Sequence, residues 1–147
     1  MMLWALGVAL WETICWSQRV DARRGMYAAA KRHAEALRLP LIVVGAPDRG
    51  ATKGPGCGDL TVDQGYSACP TSVQWDITKP MPLASNSAVI FVSCVLEYVD
   101  DFPSAWRELQ RIAPGRVYVC RVQPWSLAAY LYPGAKRTVD RRYLIGP

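Results

Sequence analysis

Residues 88–95 read Ala-Val-Ile-Phe-Val-Ser-Cys-Val, an apolar run broken only by Ser93. A strand with one wet face alternates between apolar and polar residues. A continuous run this rich in β-branched side chains predicts a strand covered on both faces, as in a parallel sheet whose crossovers lie above and below it. Leu-Ile-Val-Val at 41–44 repeats the pattern in shorter form. Residues 60–62, 73–76 and 116–122 read as three further strands. Residues 103–112 read as a helix, with Pro103 at its start, Leu109 and Ile112 turned inward, and Pro114-Gly115 ending it. The Lys-Pro-Met-Pro segment at 79–82 cannot be a central strand, and Ser85, Asn86 and Ser87 make a turn into the next one. This order predicts a single α/β domain with a mostly parallel sheet of about five strands.

At 147 residues the chain is long enough to bury a core without staples, and 51% hydrophobic residues argue against disorder. The net charge of +5 is uneven: residues 48–101 carry seven acids against three bases, leaving both ends basic. Solvated helix surfaces account for such charges as well as anionic partners do. The five cysteines have no metal-ligand spacing, and the one histidine, His33, is remote from them and reads as a surface residue. Cys94 and Cys120 lie in strand-like runs and read as core. Cys57 and Cys69 bracket a loop in which they can approach one another, although reduced thiols are the default expectation.

Residues 1–11 are apolar without interruption, and the apolar character resumes at Ile14, Cys15 and Trp16. As a helix this stretch is about 24 Å long, short of the roughly 30 Å of bilayer hydrocarbon. Trp4 and Trp16 near its ends and Arg19, Arg23 and Arg24 after it resemble a signal anchor, with the rest of the chain on the cytoplasmic side. A transmembrane or interfacial anchor is therefore expected. A helix docked on protein, a cleaved signal and a soluble cytoplasmic chain are the alternatives. From Asp21 to Arg38, Met26, Tyr27, Ala30, Ala34 and Leu37 recur at helical spacing among basic residues, and Pro40 ends the segment. This basic helix either lies along a membrane or packs on the first strand.

Residues 75–113 resemble the second half of the cofactor domain of class I S-adenosylmethionine-dependent methyltransferases, of the type 11 group. They hold an acid after a strand (Asp76), a Pro-Leu turn, an Asn-Ser loop, the buried strand, and Leu-Glu-Tyr-Val-Asp-Asp before a helix. The resemblance implies a minimal Rossmann-like methyltransferase fold preceded by the hydrophobic helix. It also implies S-adenosylmethionine as cofactor. Gly45 then lets the backbone approach the methionine part, Asp63 at a strand tip accepts the ribose hydroxyls, Asp76 takes the adenine amino group, and Ile77 packs on the ring. Ser93 and Cys94 fall at a strand end where ligands of open α/β sheets bind. Asp63 has a rival role as a turn carboxylate before Gly65, and Asp59 competes with Asp76.

The chain departs from the family pattern after Gly45. The Gly-x-Gly-x-Gly turn is absent, the 50–56 segment is too broken by Gly and Pro to form the usual first helix, and it lacks a Walker spacing. The expected organisation is an anchor-like helix at 1–17, a basic helix at 18–39, the α/β domain at 40–135 and a basic tail at 136–147. Trp125, Leu127, Tyr130 and Leu131 are expected to cover the last strand in place of missing elements. Two functions follow: a methyltransferase with an unknown acceptor, or an inactive relative serving as a membrane-associated or assembly component. The expected partners are a membrane and a protein; nucleic acid is not expected, since no recognition motif is legible.

Overall fold

The computed structural model describes residues 2–47 and 56–120. The 50–56 segment, except Gly56, and the tail beyond Cys120 lie outside the described residues, as do the end of the predicted last strand and the aromatic cover expected on it.

The described chain is an α/β domain. Helix α1 (Met2–Leu37) leads into strands β1 (Leu41–Val44), β2 (Leu60–Asp63), β3 (Ser72–Gln74) and β4 (Val89–Ser93). A short 3-10 turn over Leu96–Tyr98 follows, then helix α2 (Phe102–Ile112) and strand β5 (Val117–Cys120). The strands form one sheet in the order β3-β2-β1-β4-β5, with every pairing parallel. That order reverses direction between β1 and β4, and such a switch point opens a crevice at the carboxyl ends of the strands.

Alternation along the strands builds two cores. Ile42, Val44, Val62, Ile90 and Val92 face one way, onto Leu109, Ile112 and Ala105 of α2. Leu41, Val43, Val89 and Phe91 face the other way, onto Ala30 and Ala34 of α1. Phe91 is fully buried, and its ring meets that of Tyr27 edge-on at 5.7 Å. Side chains of this size contribute roughly 1.5–3 kcal/mol each when buried. The small Ala30 and Ala34 let α1 lie close to the strands.

Two helix ends have visible causes. After Leu37, Arg38 turns left-handed at φ 54°, the Leu39 amide donates to Ala34 O at 3.0 Å, and Pro40 follows. At the start of α2, the Asp101 carboxylate caps by accepting from the Ser104 amide at 3.1 Å, with Pro103 in the first turn.

Several expectations are corrected. The anchor-like helix at 1–17 and the basic helix at 18–39 are one continuous helix, because nothing between residues 12 and 24 breaks helical geometry. Among the described residues no helix is long and apolar enough to cross a membrane, since charges from Arg19 onward interrupt the apolar run, so the transmembrane expectation is not met. Leu37 is exposed rather than inward, at the last turn where α1 leaves the sheet. His33 is half-buried rather than a free surface residue, its Nδ1 sharing a 2.8 Å hydrogen bond with the Tyr118 hydroxyl of β5. Cys57 and Cys69 are joined as a disulfide, with Cα atoms 5.6 Å apart, against the reduced default.

Candidate functional site

The strand ends dictate where a ligand can sit. A cavity of about 360 Å³ opens at the carboxyl edge of the sheet, floored by Val44, Val62 and Ile77 and rimmed by the chain after β2, β3 and β4. Of the six residues singled out from the sequence, Gly45, Asp63, Asp76, Ile77 and Cys94 line it. Ser93 does not: its side chain is buried within the sheet, its hydroxyl with no hydrogen-bond partner among the described residues. The strand ends one residue before Cys94, whose φ of 53° turns the chain so that Cys94 rather than Ser93 faces the cavity.

Gly45 sits at the switch point. Its φ is +101°, and a Cβ there would lie 2.8 Å from Ser93 O and 2.7 Å from Val95 Cγ2. Only a residue without a side chain lets β1 leave the sheet this close to β4.

Asp63 ends β2 with both carboxylate oxygens engaged. Oδ2 accepts from the Ala46 amide at 2.9 Å and Oδ1 from the Gly65 amide at 2.7 Å. The turn role foreseen as the rival is thus present. A carboxylate has about four acceptor sites, so two remain for a ligand.

Asp76 follows β3 and folds onto its own turn, Oδ1 accepting from the Thr78 amide at 2.9 Å and the Thr78 hydroxyl at 2.8 Å. These bonds hold its carboxyl below the usual aspartate range. Asp59, the competing acid, is turned away from the cavity, and its Oδ2 accepts from the Leu41 amide at the opposite edge of the sheet.

Tyr98, Val99, Asp100 and Asp101 line the cavity from the segment between β4 and α2. Gln64 and Thr78 also line it and were missed. An Asp followed two residues later by Thr is a legible turn signal, which marks Thr78; no signal in the sequence marks Gln64.

The wall at Cys94 is unusual. Cys94 packs partly against the α1-facing core that contains Cys120, and its amide donates to Cys120 O at 2.8 Å. Hydrogen bonding with the Cys120 thiol pushes the Cys94 thiol far up from its ordinary value, burial and the nearby Glu97 add to this, and Arg23 opposes it. Cys94 is therefore a neutral thiol and a poor nucleophile.

Among the described residues no group of three or more His, Cys, Asp or Glu side chains is placed to hold a metal ion. Comparison with protein-family models, with curated proteins and with solved structures finds no match.

Proposed function

We propose that this chain is an S-adenosylmethionine-dependent methyltransferase-like protein of Rossmann-like fold, which holds its cofactor in the cavity at the carboxyl edge of the sheet. The observation that carries the reading is the convergence of Gly45, Asp63, Asp76 and Ile77 on one cavity at the switch between β1 and β4. A volume of about 360 Å³ falls in the range of small-molecule sites. The residues fit the group: bare backbone at Gly45 for the methionine part, spare acceptor sites on Asp63 for ribose hydroxyls, and buried Ile77 beside Asp76 for an aromatic base with an amino edge.

A bound cofactor would supply an electrophilic methyl group, which an acceptor lone pair would take up while the bonding electrons stay with the sulfur, any proton displaced from the acceptor passing to water. The protein's part is alignment, which supplies much of the rate in such a displacement.

A second reading, a membrane-associated or assembly component without turnover, is favoured by Asp63, whose oxygens already serve the Ala46 and Gly65 amides. Calorimetric titration of the full chain with S-adenosylhomocysteine separates the two. Binding that Asp63→Asn weakens about tenfold, the share of one charged hydrogen bond, supports the cofactor reading. No binding to a chain with a cooperative melting transition moves the conclusion to the second. Association with a membrane surface belongs to both readings. A cytoplasmic position is opposed by the Cys57–Cys69 disulfide, since structural disulfides persist in oxidising compartments.

A further inference from the structure

We propose that the edge of the sheet carrying the cavity faces a phospholipid bilayer, with the first half of α1 laid into it, and that the methyl acceptor is a lipid-soluble molecule reached from that bilayer. The acceptor rests on the cofactor reading of the cavity; the orientation does not.

The direction of α1 carries the argument. Only Arg38, Leu39 and Pro40 separate α1 from β1, so the helix runs back across the sheet antiparallel to β1. Ala34 lies near the start of β1, beside Leu41 and Asp59. About 11 Å further back along the helix, Met26 and Tyr27 pack with Cys94, at the carboxyl end of β4, against the same core, and Arg23, buried at 6% exposure, lies one turn beyond them. Burial continues along the helix as far as Cys15, at 3% exposure, and the residues before it project beyond the edge at which the cavity opens.

That projection is apolar on every side. Leu3, Trp4, Leu6 and Leu10 are 85%, 78%, 59% and 63% exposed, and residues 2–11 contain no polar side chain. A protein groove covers one stripe of a helix and leaves the other face polar, whereas a helix apolar all round suits lipid. The exposed stretch from Leu3 to Trp11, which ends at Glu12, is about 14 Å long, enough to enter one leaflet without crossing the hydrocarbon. The sequence that follows it is basic, and exposed Arg24 is placed to complement phosphate headgroups.

The acids of the cavity lie elsewhere. Asp63 and Asp76 belong to the β2–β3 half of the sheet, and Asp100 and Asp101 precede α2, which packs on the face opposite α1. The cavity thus has an acidic side open to water and, at Cys94, a wall shared with the helix that enters lipid.

The test uses the full chain on vesicles of equal parts phosphatidylcholine and phosphatidylglycerol containing a phosphatidylcholine with a photoactivatable acyl chain, with cross-links mapped by mass spectrometry. Cross-links on the first half of α1 together with Val95, Tyr98 or Val99 are expected. Cross-links confined to α1, or found on the opposite edge around Asn86 and Pro114, overturn the proposal, as does a failure to bind vesicles. Replacing Leu6 and Leu10 with Lys should lower vesicle affinity at least about a hundredfold with the melting transition kept. If that variant unfolds the domain, the helix belongs to its core and the orientation is wrong. S-adenosylhomocysteine binding measured without vesicles is the separate arm: its absence removes the acceptor assignment, while the cross-link pattern still decides the orientation.

Discussion

Glu108 and Arg111 hold together the part of the chain least explained by secondary structure. Arg111 Nε donates to Glu108 Oε2 at 2.8 Å and Nη2 to Oε1 at 2.6 Å, while Oε1 also accepts from the Met81 amide at 2.7 Å. The same guanidinium donates to Leu83 O at 2.8 Å and Met81 O at 3.1 Å, pinning the proline-rich crossover between β3 and β4 onto α2. Glu108→Ala should cost about 2–3 kcal/mol, read from urea denaturation, because it leaves Arg111 and the Met81 amide without their acceptor. Arg111 holds the Glu108 carboxyl below the usual glutamate range. A depressed folded value means this stability is complete above the unfolded value, about 4.3, and is lost as pH falls through the folded one. The acid limb of a melting-temperature profile should therefore flatten in Glu108→Gln relative to the parent. Gly45→Ala is expected to cost about 1–3 kcal/mol in the same assay, from the positive φ and the close Ser93 carbonyl. The helical spacing of Glu108 and Arg111 shows in the sequence, but their carbonyl partners come from a loop whose path no local pattern dictates. Asp63 and Asp76 were legible as acids at strand tips with local turns at Gly65 and Thr78, whereas the Ala46 amide that also binds Asp63 is brought close only by the pairing of β1 with β2.

Among the elements, β1 was readable to the residue and β4 as a strand one residue too early at its start and two too long at its end, because strands buried on both faces must be continuous apolar runs. Exposed β3 carries no such run; its three residues are all exposed at the edge of the sheet, and its predicted position slipped by a residue or two. The length of α1 was missed for a related reason. Its hydrophobic character changes from uniform to one-sided midway, so the sequence reads as two helices although the backbone sees no break. The contact between α1 and the sheet depends on small residues, and Ala30 is fully buried against the strands. Ala30→Leu should therefore cost about 1–3 kcal/mol by overpacking, checked by thermal melting. An unchanged melting temperature would mean that α1 can ride off the sheet at no cost.

For the molecule as a whole, the cysteines offer a simple check on the assembled fold. Cys57 and Cys69 form a disulfide, while Cys15, Cys94 and Cys120 are thiols. Alkylation of the denatured, unreduced chain should therefore modify three of the five cysteines, and modification of all five would place the native chain in the reduced form. The strand order has a consequence in time. β1 and β4 pair at the centre of the sheet although β2 and β3 lie between them in the chain, and α1 rests mainly on β4 and β5. Non-local parallel pairing is slow, since the entropy of closing a long loop must be met before any contact offsets it. Of the described elements α1 is made before the sheet, and β4 and β5, on which it rests, follow only after β1, β2 and β3. For that interval the face of α1 around Ala30 and Ala34 has no sheet to lie on, so the nascent chain is at its most prone to aggregate before its sheet is complete, and early capture of the apolar start of the helix by a lipid surface would shorten the exposure.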